Sequence, residues 1–354
     1  DPPREIPPAA PQNIWESYRR RVLQITGLAK GLKEELKVAV EAGFGVGGIT
    51  MRKIWAGIPG LTLMLSNEQP NGFFPLGVPD PLLERTMERT QKLAEVTKAA
   101  LSLAFDGDAD RIGAVINTLA LTPTELGALI AEELIRKSSV SAPAVLYTIA
   151  CSKLVSEVIR KAGGRAVMGP VGYGHLRARM QKMTDCIFAL EHSGHMIYRE
   201  FFGADCGMVS AGMIFRLVAR QPDIAKRVRQ WRQQYHISKE ESFSLASQEA
   251  ITSLINELES DFSAQGKRVE MYAPGEPVPP NILRVELAAS GKNFPAWFLV
   301  RPSGNEPLVR LMAEVIIPRT NPAEIEVKQA RRQLDELLRT LRQKIKNAAC
   351  RDAS

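Results

Sequence analysis

The 354-residue chain is 45% hydrophobic and 24% charged with a formal charge of +7, an ordinary make-up for a globular protein, and its length favours several domains over one. No run approaches 18 apolar residues, which excludes a helical membrane span, and the first residues lack the layout of a signal peptide, so a cytoplasmic location is expected. The basic excess sits in scattered helix-like stretches (Arg19 to Arg21, Arg227 to Arg232, Arg331 to Lys346) rather than one aromatic-laced stripe; it suits anionic ligands, nucleic acid and sugar phosphates alike, and does not choose between them.

Residues 1–12 are rich in proline and read as a linker; a chain that opens on Asp1 rather than Met is expected to have lost an upstream piece. Ile14 to Leu32 reads as a lead-in helix, and Lys37 to Glu41 as a strand running into the glycine turn Gly43 to Gly48. That turn lacks the Lys-Ser/Thr ending of a P-loop and a proper GxGxxG, so its glycines are expected to serve packing. Ser66 to Pro81 is loop-like. From Leu82 to Leu101 the apolar residues Leu83, Met87, Leu93, Val96 and Ala100 predict one side of a helix. The strand Leu101 to Phe105 then stops at Asp106-Gly107-Asp108-Ala109-Asp110-Arg111, and Ile112 to Ile116 resumes extended.

Thr122-Pro123-Thr124-Glu125 predicts a capping box. The strand–helix rhythm continues with strands at 144–148, 165–168 and 186–190 and helices at 152–162, 172–180 and 206–220. After Gln221 the pattern loosens. Strands are expected at 281–287, 295–300 and 311–316, a polar loop at 301–310, and a last helix from Pro322 to about Lys346, capped by Asn321. The domains are therefore expected at 33–120, 121–240 and 241–346, between a linker and lead-in helix at 1–32 and a tail at 347–354.

Three loops carry chemistry. Asp106, Asp108 and Asp110 alternate on a tight turn, so their carboxylates can converge on one hard cation at about 2.1 Å, as Mg²⁺ requires. Without a cation they repel, which argues against a purely structural trio. An EF-hand fails because no Glu stands at the twelfth position. Glu191-His192-Ser193-Gly194-His195 follows a strand end, where ligands of α/β sheets bind, and Glu191 and Ser193 can bond sugar hydroxyls. A zinc site there lacks further ligands: only His175 and His236 remain, and the four cysteines are scattered and expected to be reduced thiols. In Arg301 to Arg310, two guanidinium forks with Ser303, Asn305 and Gly304 suit a phosphate dianion; the alternative is a loop held internally through Glu306.

Together with Glu41 to Gly48, Asn71-Gly72-Phe73-Phe74-Pro75 and Pro79-Asp80-Pro81, these segments resemble domains two to four of the α-D-phosphohexomutases, the phosphomannomutase/phosphoglucomutase family. The resemblance implies an α/β fold: two mixed α/β sandwich domains followed by a smaller α+β C-terminal domain. It implies a phosphotransferase that moves phosphate between O1 and O6 of mannose or glucose, with Mg²⁺ on Asp106, Asp108 and Asp110 and hexose 1,6-bisphosphate as activator or intermediate. Arg111 would steady the phosphoryl group, and Tyr173 stands where a histidine is frequent. Glu191, Ser193 and His195 would hold sugar hydroxyls, and Arg301, Ser303, Asn305 and Arg310 the distal phosphate. The family's N-terminal phosphoserine domain has no counterpart here, so the chain alone is expected to be nearly inactive unless a separate domain or subunit supplies it. Ala150 replaces a common lysine, Asn305 a threonine, and His192 sits where an acidic or neutral residue is common. The second reading is a non-catalytic sugar-phosphate-binding or assembly protein of the same descent. The third, a nucleic-acid module, rests only on the charge; neither a membrane nor a nucleic-acid partner is expected.

Overall fold

In the computed structural model, which describes residues 13–245, 247–273, 275–303 and 308–351, the elements up to Thr118 are α1 (Trp15–Thr26), β1 (Leu36–Glu41), α2 (Gly47–Trp55), β2 (Leu61–Ser66), α3 (Glu84–Thr97), β3 (Leu101–Phe105) and β4 (Ile112–Ile116). There follow β5 (Leu119–Leu121), α4 (Pro123–Lys137), β6 (Ala144–Thr148), α5 (Lys153–Lys161), β7 (Arg165–Gly169), α6 (Tyr173–Lys182), β8 (Cys186–Leu190), β9 (Met196–Tyr198) and β10 (Ala204–Asp205). Next come α7 (Gly207–Arg220), α8 (Ile224–Gln234), β11 (Tyr235–Ile237), β12 (Glu241–Ser244) and α9 (Gln248–Phe262). The chain closes with β13 (Gly266–Arg268), β14 (Met271–Ala273), β15 (Glu276–Pro277), β16 (Leu283–Leu287), β17 (Ala296–Pro302), β18 (Leu308–Ile316) and α10 (Glu324–Arg351). One compact unit runs to Thr118 and takes back Cys206–Arg220; the other holds Leu119–Asp205 and the chain from Gln221. The expected proline-rich linker lies outside the described residues.

In the first unit β1 runs parallel to β2 and β3, and β4 turns back antiparallel beside β3. Strands β3 and β4 are buried throughout, which is why both read as continuous apolar runs. Helix α1 is shorter than its pattern: it stops at Gly27, whose φ of 69° lets its amide return to Leu23 O at 2.9 Å. Helix α3 buries Thr86, Thr90 and Ala94, while Val96 is 74% exposed and Ala100 is exposed. The expected apolar side is therefore wrong in part. Small residues four apart let the helix lie close on β1 and β3, and closeness outranked hydrophobicity. Helix α7 belongs to this unit, packed where a Cβ on Gly212 would come within 2.5 Å of Thr26 and of the Trp55 ring.

In the second unit the strand order is β10-β9-β8-β6-β7, with β6 parallel to β7 and β8. The capping box forms as read: Glu125 N donates to Thr122 Oγ1 at 3.2 Å and Thr122 N to Glu125 Oε2 at 2.8 Å. A second sheet, wholly antiparallel, has the order β11-β18-β17-β16-β13, with β12 also on β18. Helices α8 and α9 and strands β11 to β15 had no clear sequence pattern.

Residues 301–310 do not form a loop throughout. β17 continues to Pro302, β18 starts at Leu308, and Arg301 and Arg310 are register partners on neighbouring strands. The two arginines thus share one sheet face. Nor does Asn321 cap α10: its φ is 52°, and the Ala323 amide is taken by Glu326 Oε2 at 2.8 Å. The helix runs on past Lys346 to Arg351.

Alternation gives this sheet two unlike faces. One carries Leu283, Val285, Phe298, Val300, Val309, Leu311 and Ala313 against Leu254, Leu258, Leu338, Leu341 and Ile345 of α9 and α10. The other carries Arg284, Trp297, Leu299, Arg301, Arg310, Met312 and Glu314, and packs on Ile149 and Ala150 beyond β6. Glu314 is fully buried. It accepts from Trp297 Nε1 at 2.6 Å, from Lys153 N at 2.9 Å and from Ser152 Oγ. Arg284, equally buried, lies 3.9 Å over the Trp297 ring and donates to Ile149 O. Replacing Glu314→Leu strands three buried donors, so urea denaturation should show a loss of about 3 kcal/mol or more.

Candidate functional site

The acidic loop leaves β3 where its backbone is tied to the glycine turn: Val46 N donates to Gly107 O at 2.9 Å. A Cβ on Gly45 would sit 2.6 Å from that same oxygen, and one on Gly48 2.5 Å from the Glu68 Cα. The glycines therefore allow close approach of backbones, the packing role expected of them. Asp106 is buried, Asp108 exposed and Asp110 half-buried, and one carboxylate oxygen from each lies within 4.8 Å of the others. Ala109 at the turn has φ 62°, a left-handed position for a residue with a side chain.

Three hard oxygen donors so gathered fit a hard cation such as Mg²⁺. Neighbouring ligands about 2.1 Å from such an ion lie roughly 3 Å apart, so the trio would draw in slightly around it. Arg111 already supplies positive charge here. Its amide and Nε donate to the two oxygens of Asp106 at 3.1 and 2.6 Å, and Nη1 reaches Asp80 Oδ1 at 3.3 Å. Burial works against that charge, but the hydrogen bond to Asp106 and the charges of Asp106, Asp80 and Asp110 outweigh it and raise the guanidinium above its ordinary value. Asp80 carries no site signal in the sequence beyond its place between two prolines.

In the second unit, the turn after β8 is closed by Glu191 N donating to His195 O at 3.0 Å, with Gly194 at φ 104°. Glu191 is buried and fully engaged. Oε1 accepts the Gly172 amide at 2.7 Å; Oε2 accepts Ser193 Oγ at 3.2 Å and lies 3.1 Å from His195 Nδ1. Burial pushes its carboxyl up, yet the bonds from His195 and Gly172 and the nearby imidazoles prevail and lower it. Glu191 thereby pins the start of α6, where Gly172 adopts φ 120° and Tyr173 begins the helix. The Tyr173 ring lies 5.9 Å from that of His195, and burial together with Asp205 raises its phenol. A phenol so raised holds its proton at neutral pH.

Arg301 is buried. Its Nη2 donates to Glu240 Oε1 at 2.7 Å and its Nη1 to Pro302 O at 3.2 Å. The same Glu240 oxygen lies 3.6 Å from His192 Nε2, whose ring partner Nδ1 is 3.4 Å from Thr148 Oγ1. Glu240 thus joins the turn after β8 to the end of β17, and nothing in the loose sequence around it announces this. Burial would raise its carboxyl; His192 and Arg301 overcome that and hold it down at about 2. Arg310 Nη1 donates to Ser242 Oγ at 2.6 Å, and Ser303 N to Leu308 O at 2.7 Å. Asn305 and Glu306 lie outside the described residues. Ala150 is wholly buried in the apolar layer under the last sheet. Cys151, Cys186 and Cys206 are buried thiols and Cys350 is an exposed one. Among the described residues no helix is long and apolar enough to cross a membrane.

Three family models match consecutive segments: phosphoglucomutase/phosphomannomutase alpha/beta/alpha domain II over residues 16–119, domain III over 122–235, and the C-terminal domain over 239–331. The chain is 27% identical over 316 residues to a phosphomannomutase of Methanocaldococcus jannaschii, covering 89% of this chain and 64% of that one. It is 30% identical over 215 residues to a phosphomannomutase/phosphoglucomutase of Pseudomonas putida, covering 60% of this chain and 45% of the relative. It therefore spans less than two thirds of these relatives' own length. Among solved structures, a phosphoglucomutase/phosphomannomutase family protein of Burkholderia thailandensis superposes with a TM-score of 0.74 at 23% identity, over 95% of this chain and 65% of that one. The open form of parafusin from Paramecium gives 0.74 at 16% identity, over 96% and 63%. These likenesses show the fold.

Because the Glu240 carboxyl is depressed in the folded chain, the stability it adds is complete above the ordinary value of 4.5 and is lost as pH falls toward about 2. Glu240→Gln should flatten the acid limb of the stability curve between those values, as read by urea unfolding at stepped pH.

Proposed function

The chain belongs to the phosphoglucomutase/phosphomannomutase family, and we propose that it carries the metal, sugar and phosphate loops of an enzyme that moves phosphate between O1 and O6 of glucose or mannose. The observation that carries this reading is the convergence of Asp106, Asp108 and Asp110 at the end of β3. On this reading they hold Mg²⁺, which supplies charge neutralisation at the phosphoryl oxygens. Arg111, oriented by Asp106 and Asp80, adds a fixed positive charge at that loop. Ser193 and His195, set in place by Glu191, meet sugar hydroxyls, with Glu191 acting mainly through the turn it organises. Tyr173 keeps its proton and takes part as a hydrogen-bond donor.

Arg301, Ser303, Asn305 and Arg310 grip the phosphate that is not reacting, and holding it lets the sugar reverse without leaving. The domains under this reading are 33–120, 121–240 and 241–346, and the phosphoryl carrier is a phosphoserine on a separate domain or subunit. A binding-only reading has one observation of its own: Ala150, where mutases of this type often have a lysine, is sealed in an apolar layer.

Calorimetric titration with Mg²⁺ should show one site, weakened at least tenfold by Asp108→Asn or Asp110→Asn. Unchanged affinity in both variants would remove the metal assignment. Turnover of glucose or mannose 1-phosphate that requires Mg²⁺ and the corresponding 1,6-bisphosphate, with the chain alone or beside a phosphoserine domain, separates the enzyme from the binding protein. Sugar-phosphate binding without turnover in either condition decides for the latter.

A further inference from the structure

The face of the last sheet that turns toward β6 ends in Arg301, after Trp297 and Leu299 on the same side of β17. The hairpin β14–β15 adds Tyr272 to this layer, where its ring packs among Ile149, Ala150, Val278, Trp297, Leu299 and Met312. Tyr272 is only 7% exposed and Arg301 only 8%. Yet neither the Tyr272 hydroxyl nor Arg301 Nε has a hydrogen-bond partner among the described residues. A buried donor without an acceptor forfeits the hydration it had when unfolded, and native chains rarely tolerate that without a use for it.

Two such donors occur here, on different elements, within electrostatic reach of one another. Arg179 stands in the same field. Its Nη2 is held at 3.0 Å by Glu276 of β15 and its Nη1 donates to Met168 O at 2.7 Å, so it is a fixed charge. Burial and Glu276 raise the Tyr272 phenol while Arg179 and Arg301 pull against them, and it is pushed up to about 12. At neutral pH it keeps its proton and can donate it to an acceptor. Two such donors, one of them part of the Arg301 guanidinium, with Arg179 as a second cation in the same field, call for a ligand group rich in acceptors and negative charge.

We infer that the Tyr272 hydroxyl is a phosphate-binding donor, set beside Arg301 Nε to take oxygens of the same phosphoryl group of a sugar phosphate. The inference rests on reading Arg301 as a phosphate ligand and adds to that site a donor from a different element, the β14–β15 hairpin.

Tyr272→Phe keeps the ring and deletes only the hydroxyl; Arg301→Lys keeps the charge opposite Glu240 and deletes the fork. Glucose 6-phosphate and inorganic phosphate are titrated into the full 354-residue chain and both variants. Tyr272→Phe should weaken glucose 6-phosphate about tenfold, the loss of one hydrogen bond to a charged acceptor. Inorganic phosphate should weaken in parallel if the phosphoryl group alone is read. Without ligand, the melting temperature of Tyr272→Phe should be unchanged or higher, because its hydroxyl has no partner among the described residues. Wild-type affinity for both ligands in Tyr272→Phe, with Arg301→Lys weakened, would overturn the tyrosine assignment and leave the phosphate site standing. Wild-type affinity in Arg301→Lys, or no binding by the wild type, would bring down the phosphate reading and this inference together. A lowered melting temperature in Tyr272→Phe would assign its hydroxyl a structural bond and also overturn the inference.

Discussion

Removing a carboxylate from water costs several kcal/mol unless donors replace the lost hydration, and Glu314 is met by three: the Ser152 hydroxyl, the Lys153 amide and the Trp297 indole. Ser152 and Lys153 open α5, whereas Trp297 and Glu314 sit on β17 and β18. One buried carboxyl group therefore fastens the first turn of a helix in the central α/β layer to the face of the last sheet. Arg284, stacked on the same indole and bonded to Ile149 O, repeats the join from the neighbouring strand. The orientation of Arg301, two residues beyond Leu299 on that face, follows from this seating.

The same rule of compensation shapes the candidate sites. Asp106 is bonded twice by Arg111, Glu191 by an amide and a hydroxyl with an imidazole beside it, and Glu240 by Arg301 with His192 nearby. Each of these carboxylates is buried or nearly so, and each is matched locally by positive charge or N–H groups. Glu191 illustrates how a residue's work changes once its surroundings are known. Its two oxygens are spent on Gly172, Ser193 and His195, so its work is to place those groups. Tyr272 and Arg301 Nε are the counter-case: two buried donors without an acceptor among the described residues.

Much of this chain was legible before any coordinates. Local signals set local structure: the Thr122–Glu125 box, the strands at β3, β6 and β8, and the acidic turn each depend on neighbours within a few residues, and each formed as its pattern required. Signals that depended on distant partners misled or were silent. Helix α3 buries threonines because the sheet beneath demands closeness, and Arg301 and Arg310 are strand partners because β17 and β18 pair beyond the apolar core.

The order of motifs along the chain was enough to establish the family and the α/β class, because spacing between loops is a property of the sequence itself. Only folding decided what each charged group faces. Asp80 beside Arg111, Glu240 between His192 and Arg301, and Glu314 beneath Trp297 are separated from their partners by 31, 48 or 61, and 17 residues. No periodicity links such positions, since a charge buried against a distant strand takes its partner from the register of the sheet.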